Sequence, residues 1–490
     1  MYIDGSKIDN TVIEGDICII GAGAAGICMA LEWLNTPYKV ILLEGGGLEY
    51  EDKMQDLYDG KITGQPHYPF PLKTVRLHYF GGTTGHWGGF CSPFDPIDFE
   101  KRDWVPHSGW PIKREDLDPY YARVQPYLDL GPYEYSADYW QSKDPMLVSL
   151  LSDNPVIWNK MWQFSRPVSR FGQKYRKTIA DARNIHLYTY ANVTDIVANE
   201  DVSVIKEVIA KNHAGKEHKV RAKKFVLACN TIQNARLLLA SNRQNPRGLG
   251  NDNDLVGRKF MEHIEFFSSA ELWLKKPDSL KLYMAGYETK ARAELAISDE
   301  LQRKHKMLNG TVSVRPLAEE KKQKTMPGAA NKDHIAYELI VRMEQAPNLS
   351  SRVTLSAEKD PLGVPRASLN WMLTPIEKRS IRKIYELLGQ EVRRQGVGLV
   401  KMCAFLSDEN DMAWPSTTSG GPHHMGTTAM SDNPKEGVVD KNCKVQGISN
   451  LYVAGGSCFP TAAAPNPTLT ITALSLRLSD HLKETITRQQ

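Results

Sequence analysis

The sequence predicts an α/β fold in which a Rossmann-like dinucleotide-binding domain is joined to an α+β domain built on an antiparallel sheet. Three observations predict it. A strand, a glycine-rich turn, a helix, a second strand and an acidic residue follow one another between Asp16 and Glu44. Two more apolar strands, at 223–230 and 450–455, lie far downstream, one leading into a helical run and the other ending in glycines. Strand-like runs at 335–341 and 351–355, with a helical run at 376–394, lack any glycine signature.

Residues 16–20, Asp-Ile-Cys-Ile-Ile, barely alternate in polarity, as a buried parallel strand does. Gly21 permits a tight turn, Gly23 lets a pyrophosphate approach the backbone, and Gly26 lets the following helix pack on the strand. Strand 39–43 ends at Glu44, 18 residues beyond Gly26, where a carboxylate can accept hydrogen bonds from a ribose diol. The motif does not by itself separate FAD from NAD. The strand and helix at 223–239 and the strand and glycines at 450–460 complete this unit from the middle and far end of the chain. Such interleaving fits a large cofactor gripped along its length.

The net charge is +4 with scattered basic residues, and the run Lys321, Lys322, Lys324 reads as a solvated loop, so nucleic acid is not expected as a partner. Seven cysteines without CxxC or other metal-type spacing read as reduced thiols of a cytoplasmic protein, and no metal is expected. The apolar stretch 17–34 contains Gly21, Gly23 and Gly26 and follows Asp4, Glu14 and Asp16, a pattern unlike a signal peptide. No uninterrupted run approaches the ~20 residues of a membrane span. Residues 316–334, with lysines, Pro327 and Gly328, read as a surface loop suited to a lid.

Several motifs together resemble the glucose–methanol–choline (GMC) oxidoreductases. They are the opening unit, Gly81-Gly-Thr-Thr-Gly-His86-Trp-Gly-Gly89, the segment 223–239, Arg352-Val-Thr-Leu-Ser356 with Asp360-Pro-Leu-Gly363, and everything from His423 to Leu482. The chain looks most similar to the pyranose 2-oxidase and bacterial glycoside 3-oxidase branch. His86-Trp87, Gly455-Gly456 and Asn466-Pro467-Thr468, where other members carry a second histidine, favour that branch.

The resemblance implies FAD, held in a p-hydroxybenzoate-hydroxylase-like architecture. It implies cofactor contacts at Gly21, Gly23, Ala25, Gly26, Glu44, Gly82, Thr83, His86, Trp87, Gly88, Val193, Gly456, Pro467 and Thr468. His86 matches the histidine that fungal members bond covalently to FAD, but Gly85 and Gly88-Gly89 depart from their pattern, and a noncovalent contact is the expectation. His423, three residues before Gly426, matches the family's catalytic base. An unperturbed histidine, with a pKa of about 6.5, is largely neutral at pH 7 and can take a hydroxyl proton while hydride leaves for flavin N5. His424 competes for that role. Adjacent side chains of an extended segment point oppositely, so only one should readily face the flavin. Asn466-Pro467 alone reads as a helix N-cap with proline at the first position; the resemblance instead sets Asn466 opposite His423, bonded to the substrate hydroxyl. Trp414, like His424, is a weaker candidate for substrate contact, since large aromatics are more often core.

The expected division is 1–95, 186–258 and 421–490 for the FAD domain, and 96–185 and 259–420 for the substrate domain. The expected function is oxidation of a secondary alcohol of a sugar or glycoside to a ketone, at C3 rather than C2. Oxygen, a quinone or another redox carrier takes the electrons. Two alternatives stand beside it: a sugar dehydrogenase subunit serving a quinone or cytochrome, and a non-redox flavoprotein lyase.

Overall fold

The computed structural model describes residues 1–151, 154–275, 280–284, 290–317, 334–408, 413–416 and 418–487. Most of the expected lid, 318–333, lies outside them.

The apolar strand Val12–Ile20 sits inside an eight-stranded sheet, flanked by Val40–Leu43 and Glu217–Leu227, both parallel to it. Ile185–Thr189 and Tyr2–Asp4 extend the parallel set on one side. On the other side Glu217–Leu227 is long enough to do two things. Its first half pairs antiparallel with Ile205–Lys211, and its last residues pair parallel with Leu451–Val453. The far C-terminal strand is thereby held one strand away from Val12–Ile20. The helices Ala24–Glu32 and Thr468–Thr487 pack against each other over this sheet. Every residue of Val40–Leu43 and of Leu451–Val453 is buried, which is why these strands read as continuous apolar runs.

The second eight-stranded sheet is antiparallel. Its order is Gly398–Met402, Ile264–Lys275, His334–Met343, Gly310–Pro316, Ala291–Ile297, Ile157–Phe164 and Phe90–Cys91, with Ser419–Gly420 paired to the start of Ile264–Lys275. The amphipathic helix Pro375–Arg394 buries Ile381, Ile384, Leu388 and Val392 in this sheet's core. A Thr374–Glu377 capping box opens the helix, and Pro375 occupies its first turn.

Two sequence expectations differ from this arrangement. The run at 351–355 is not part of the large antiparallel sheet: Arg352–Lys359 and Pro365–Met372 form a hairpin that takes Gly60–Gln65 as a third, parallel strand. The turn at Asp360–Gly363, with Gly363 at φ +85°, folds the chain straight back on itself, so the nearest partner is its own continuation. The expected division between domains is also crossed. Gly60–Gln65 and Phe90–Cys91 pair with strands of the second region, and Trp110, Leu117, Tyr121, Val124 and Leu128 pack in the core of the first.

A buried ion pair ties these parts together. Arg102, beside the first core, donates Nη1 and Nη2 to the Glu344 carboxylate at 2.5 and 2.9 Å, and both side chains are fully buried. Glu344 also accepts the Asn309 amide at 2.7 Å. Removing one partner strands the other charge in a dry interior. Arg102→Met should therefore lower unfolding free energy by about 3–5 kcal/mol, with part regained in Arg102→Met/Glu344→Leu, as measured by chemical denaturation.

Candidate active site

A cavity of about 730 Å³ runs from the first glycine turn to the segment around His423 and Asn466. Its walls show why glycine stands where it does. A Cβ on Gly26 would lie 1.9 Å from the Gly21 carbonyl oxygen, so Gly26 serves helix–strand packing and does not line the cavity. A Cβ on Gly23 would meet nothing within 4 Å and would project into open space. That is the open cradle a pyrophosphate needs. Ala25 and Glu44 line the same end. Glu44 accepts the Gly46 amide on Oε1 (2.9 Å) and the Ala22 amide on Oε2 (3.1 Å), leaving lone pairs on both oxygens. Burial raises its pKa to about 7. Val193 lines the cavity beside a bulge, where pairing with Ile205–Lys211 slips between Val193 and Asp195.

Gly82, Thr83, His86, Trp87 and Gly88 form another wall. The Trp87 indole donates to the Ser169 carbonyl at 2.8 Å, which sets its ring. His86 is exposed to the cavity, and burial and Arg170 lower its pKa. Gly456, Pro467 and Thr468 close the far end. The residues present thus fit a dinucleotide: an open glycine cradle at one end, an acid behind it, and a long connected space.

The segment carrying His423 is clamped on two sides. Met261 and Met425 exchange both backbone hydrogen bonds at 2.9 Å, while Gly426 and Thr428 donate to the Gly456 and Ser457 carbonyls. This brings His423 between two side chains distant in sequence. Its Nε2 lies 3.0 Å from Asn466 Nδ2, and its Nδ1 lies 3.0 Å from His263 Nδ1. Asn466 Oδ1 accepts the Trp162 indole N–H at 3.0 Å. His263 Nε2 lies 2.9 Å from the Ala463 carbonyl oxygen.

Asn466 is not the cap expected from its sequence. The Pro467 carbonyl accepts the Ile471 amide, so Pro467 is the cap residue and the helix starts at Thr468. The Asn466 carboxamide is directed sideways to His423 and Trp162. Both His423 and His424 contribute to the cavity lining, with His423 reaching Asn466 and His424 turned to other groups. Their partners differ: His424 Nε2 meets the Tyr68 hydroxyl at 2.8 Å, and its ring is buried. Trp414 does not line the cavity; its ring stacks on Phe266 at 5.8 Å, against the core of the second sheet.

Sequence reasoning missed Glu262, His263, Tyr68 and Trp162. Glu262 is a hub: Oε1 accepts the His423 and His263 amides at 2.5 and 2.8 Å, and Oε2 accepts the Tyr68 hydroxyl at 3.1 Å. Burial raises its pKa to about 8. It also missed Glu265, Arg315 and Arg342, which line the cavity from the second sheet. Arg342 Nε donates to Glu265 Oε1 at 2.7 Å. The only local signal was Glu262-His263, two polar residues within an apolar run, and nothing nearby tells where they point.

The electrostatics keep the imidazoles neutral. Burial holds His423 well below its ordinary value, with His263, Arg342 and His424 acting in the same direction. Burial lowers His263 to about 4 and His424 to about 3.

Residues 347–475 match the family model described as GMC oxidoreductase. The chain is 24% identical to the fructose dehydrogenase large subunit of Gluconobacter japonicus, across 96% of this chain and 98% of that one. It is 25% identical to the paromamine 6'-oxidase of Streptomyces fradiae (94% and 90% covered) and 23% identical to a C-glycoside 3-oxidase of Microbacterium trichothecenolyticum (83% and 75%). Among solved structures, an Aspergillus oryzae RIB40 formate oxidase, studied for its FAD modification, superposes with a TM-score of 0.62 at 17% identity, covering 99% of this chain and all of that one. The fold is therefore that of GMC enzymes.

The buried rings make stability depend on pH. His263 has a folded pKa of about 4 against about 6.5 unfolded, so between these values the unfolded chain binds the extra proton. This ring costs nothing above pH 6.5 and destabilises progressively as pH falls towards 4. In His263→Gln the thermal midpoint should decline less steeply from about pH 7 to about pH 5 than in the parent protein, as read by scanning fluorimetry.

Proposed function

We propose that the chain is a GMC oxidoreductase that oxidises a secondary alcohol of a sugar or glycoside to a ketone, using FAD. The observation that carries the reading is the His423–Asn466 pair, 3.0 Å apart, in the wall of the cavity that also holds the glycine cradle. FAD, when bound in this cavity, would supply the two-electron acceptor for the hydride that leaves the substrate carbon. The protein's task is the proton. His423 is neutral, so its ring can take the hydroxyl proton as the carbon–hydrogen bond breaks. Asn466 has its carbonyl oxygen engaged by Trp162, so it offers the substrate oxygen an N–H and acts as a donor. Such a donor stabilises negative charge developing on that oxygen. The helix Thr468–Thr487 begins at the cavity wall, where its positive end would favour negative charge on a flavin held there.

A polyhydroxylated substrate fits the remaining walls. Glu265 and Arg342 present a carboxylate and a guanidinium side by side, an acceptor and a donor set for adjacent hydroxyls. Oxidation at C3 is favoured over C2 through the similarity to the glycoside 3-oxidases, and the named relatives differ in the position they attack. A second reading, a dehydrogenase passing electrons to a quinone or cytochrome, draws on the near-complete alignment with the fructose dehydrogenase large subunit. Among the described residues no helix is long and apolar enough to cross a membrane.

Anaerobic mixing with a panel of sugars and glycosides should bleach the flavin with at least one of them, and analysis of the ketone identifies the carbon; an unbleached flavin throughout would sink the proposal. Readmitted oxygen then restores the colour in an oxidase, whereas a dehydrogenase needs a quinone. His423→Ala should slow flavin reduction by about 10²–10⁴-fold. For Asn466→Ala the rate must be read beside the melting temperature, because the side chain also bridges Trp162. Since His423 is held below its ordinary value, it stays an unprotonated base as pH falls past 6.5, and the acid limb of kcat should lie below that pH. Acid precipitation should leave a colourless pellet if His86 contacts FAD without a bond; a yellow pellet indicates the covalent link.

A further inference from the structure

We infer that His263 is a positioning residue that fixes the tautomer of His423, holding the ring proton on Nδ1 and leaving Nε2 bare towards the cavity. The role rests on His423 being the base, but the tautomer follows from hydrogen-bond chemistry alone. Five groups form one chain: the Trp162 indole, the Asn466 carboxamide, His423, His263 and the Ala463 carbonyl. Each end of that chain has a single possible polarity. An indole N–H can only donate and a carbonyl oxygen can only accept.

From the first end, Trp162 requires Asn466 Oδ1 as its acceptor. Nδ2 then faces His423 as a donor, and His423 Nε2 must carry the lone pair. Flipping the amide would set N–H against N–H at Trp162. From the other end, the Ala463 carbonyl requires a proton on His263 Nε2. A neutral His263 then has its lone pair on Nδ1, and His423 must donate from its own Nδ1. The two derivations share no residue except His423, and they agree. The opposite tautomer would oppose donor to donor at Asn466 and lone pair to lone pair at His263.

The backbone supports the same role. Ala463 adopts φ +55°, a left-handed conformation unfavourable for a residue with a Cβ, and its carbonyl is the one that meets His263. Met261, next but one to His263, is locked to Met425 by paired backbone bonds, so the two imidazoles are carried by one rigid unit. The titratable and charged groups around the pair are Glu262, whose pKa burial raises to about 8 and which accepts both backbone amides, and the Glu265–Arg342 ion pair from the second sheet; His424 is the remaining titratable neighbour.

The arrangement has a direct consequence for the proton. Once His423 takes it on Nε2, the ring is a cation with Nδ1–H already bonded to a lone pair. The proton can go no further, because His263 Nε2–H ends on a carbonyl that cannot accept it covalently. His263 therefore orients the base and steadies its charged form without relaying the proton.

The test uses the flavin-loaded full chain with ring-¹⁵N histidine, observing long-range nitrogen–proton correlations in the absence of substrate. His423 should carry its proton on Nδ1 and His263 on Nε2; a proton on Nε2 of neutral His423 overturns the inference. His263→Leu removes the acceptor and leaves only the Asn466 N–H to hold the tautomer, so the Nε2–H form of His423 should gain population, and anaerobic flavin reduction should fall about 10-fold or more. His263→Gln, which can both accept from His423 and donate to the carbonyl, should recover part of the rate. A His263→Leu protein with full flavin content, unaltered tautomer and unaltered rate also overturns it. If no sugar reduces the flavin, the functional proposal fails while the nitrogen spectrum still decides this one.

Discussion

The parallel pairing of Glu217–Leu227 with both Val12–Ile20 and Leu451–Val453 is the constraint on which the site depends. One strand in the middle of the chain forms ladders with the first and last apolar strands, and the register sets the loops at their ends side by side. Leu227 stands opposite Ile20 and Val453, so Gly21, the strand-to-helix turn after Ala228, and Gly455 all emerge at one edge. Ligands of open parallel sheets bind outside the carboxyl ends of the strands for this reason.

The second sheet contributes chemistry through its edge and its insertions. Ile264–Lys275 begins immediately after His263 and pairs with Ser419–Gly420 immediately before the His423 segment. The ladder that starts the large antiparallel sheet thus also spaces the two imidazoles. Glu262 lies behind both and satisfies their backbone amides with one oxygen, so neither amide is left unpaired in a dry interior. Trp162, from Ile157–Phe164, reaches across to Asn466 and fixes the sense of the carboxamide. The proposed base, its proposed orienting partner, the proposed substrate-side donor and that donor's anchor come from four distant parts of the chain.

Much of the first unit was legible before any coordinates, because its rules are local. Gly26 packs against the turn it follows, Glu44 sits where strand length puts it, and the apolar runs at 225–227 and 451–453 became buried strands. Local rules also misled. Asn466-Pro467 carries a good capping signal, yet the helix starts one residue later and the carboxamide is taken by Trp162 and His423. Arg352–Lys359 reads like its neighbours in the antiparallel sheet but pairs with its own hairpin partner Pro365–Met372, whose other edge takes Gly60–Gln65. Trp414 stands near the His423 motif in sequence and packs on Phe266 instead.

The sequence by itself determined the dinucleotide turn, the residue types at the candidate base and donor, and the family resemblance that links them, since each is written in a short contiguous motif. Tertiary structure alone decided that His263, 160 positions from His423, is that ring's neighbour, and that Trp162 orients Asn466. Hydrogen-bond polarity depends on which groups meet in space. A histidine's two nitrogens and an amide's two ends are indistinguishable in a sequence until folding supplies the donor or acceptor that selects between them.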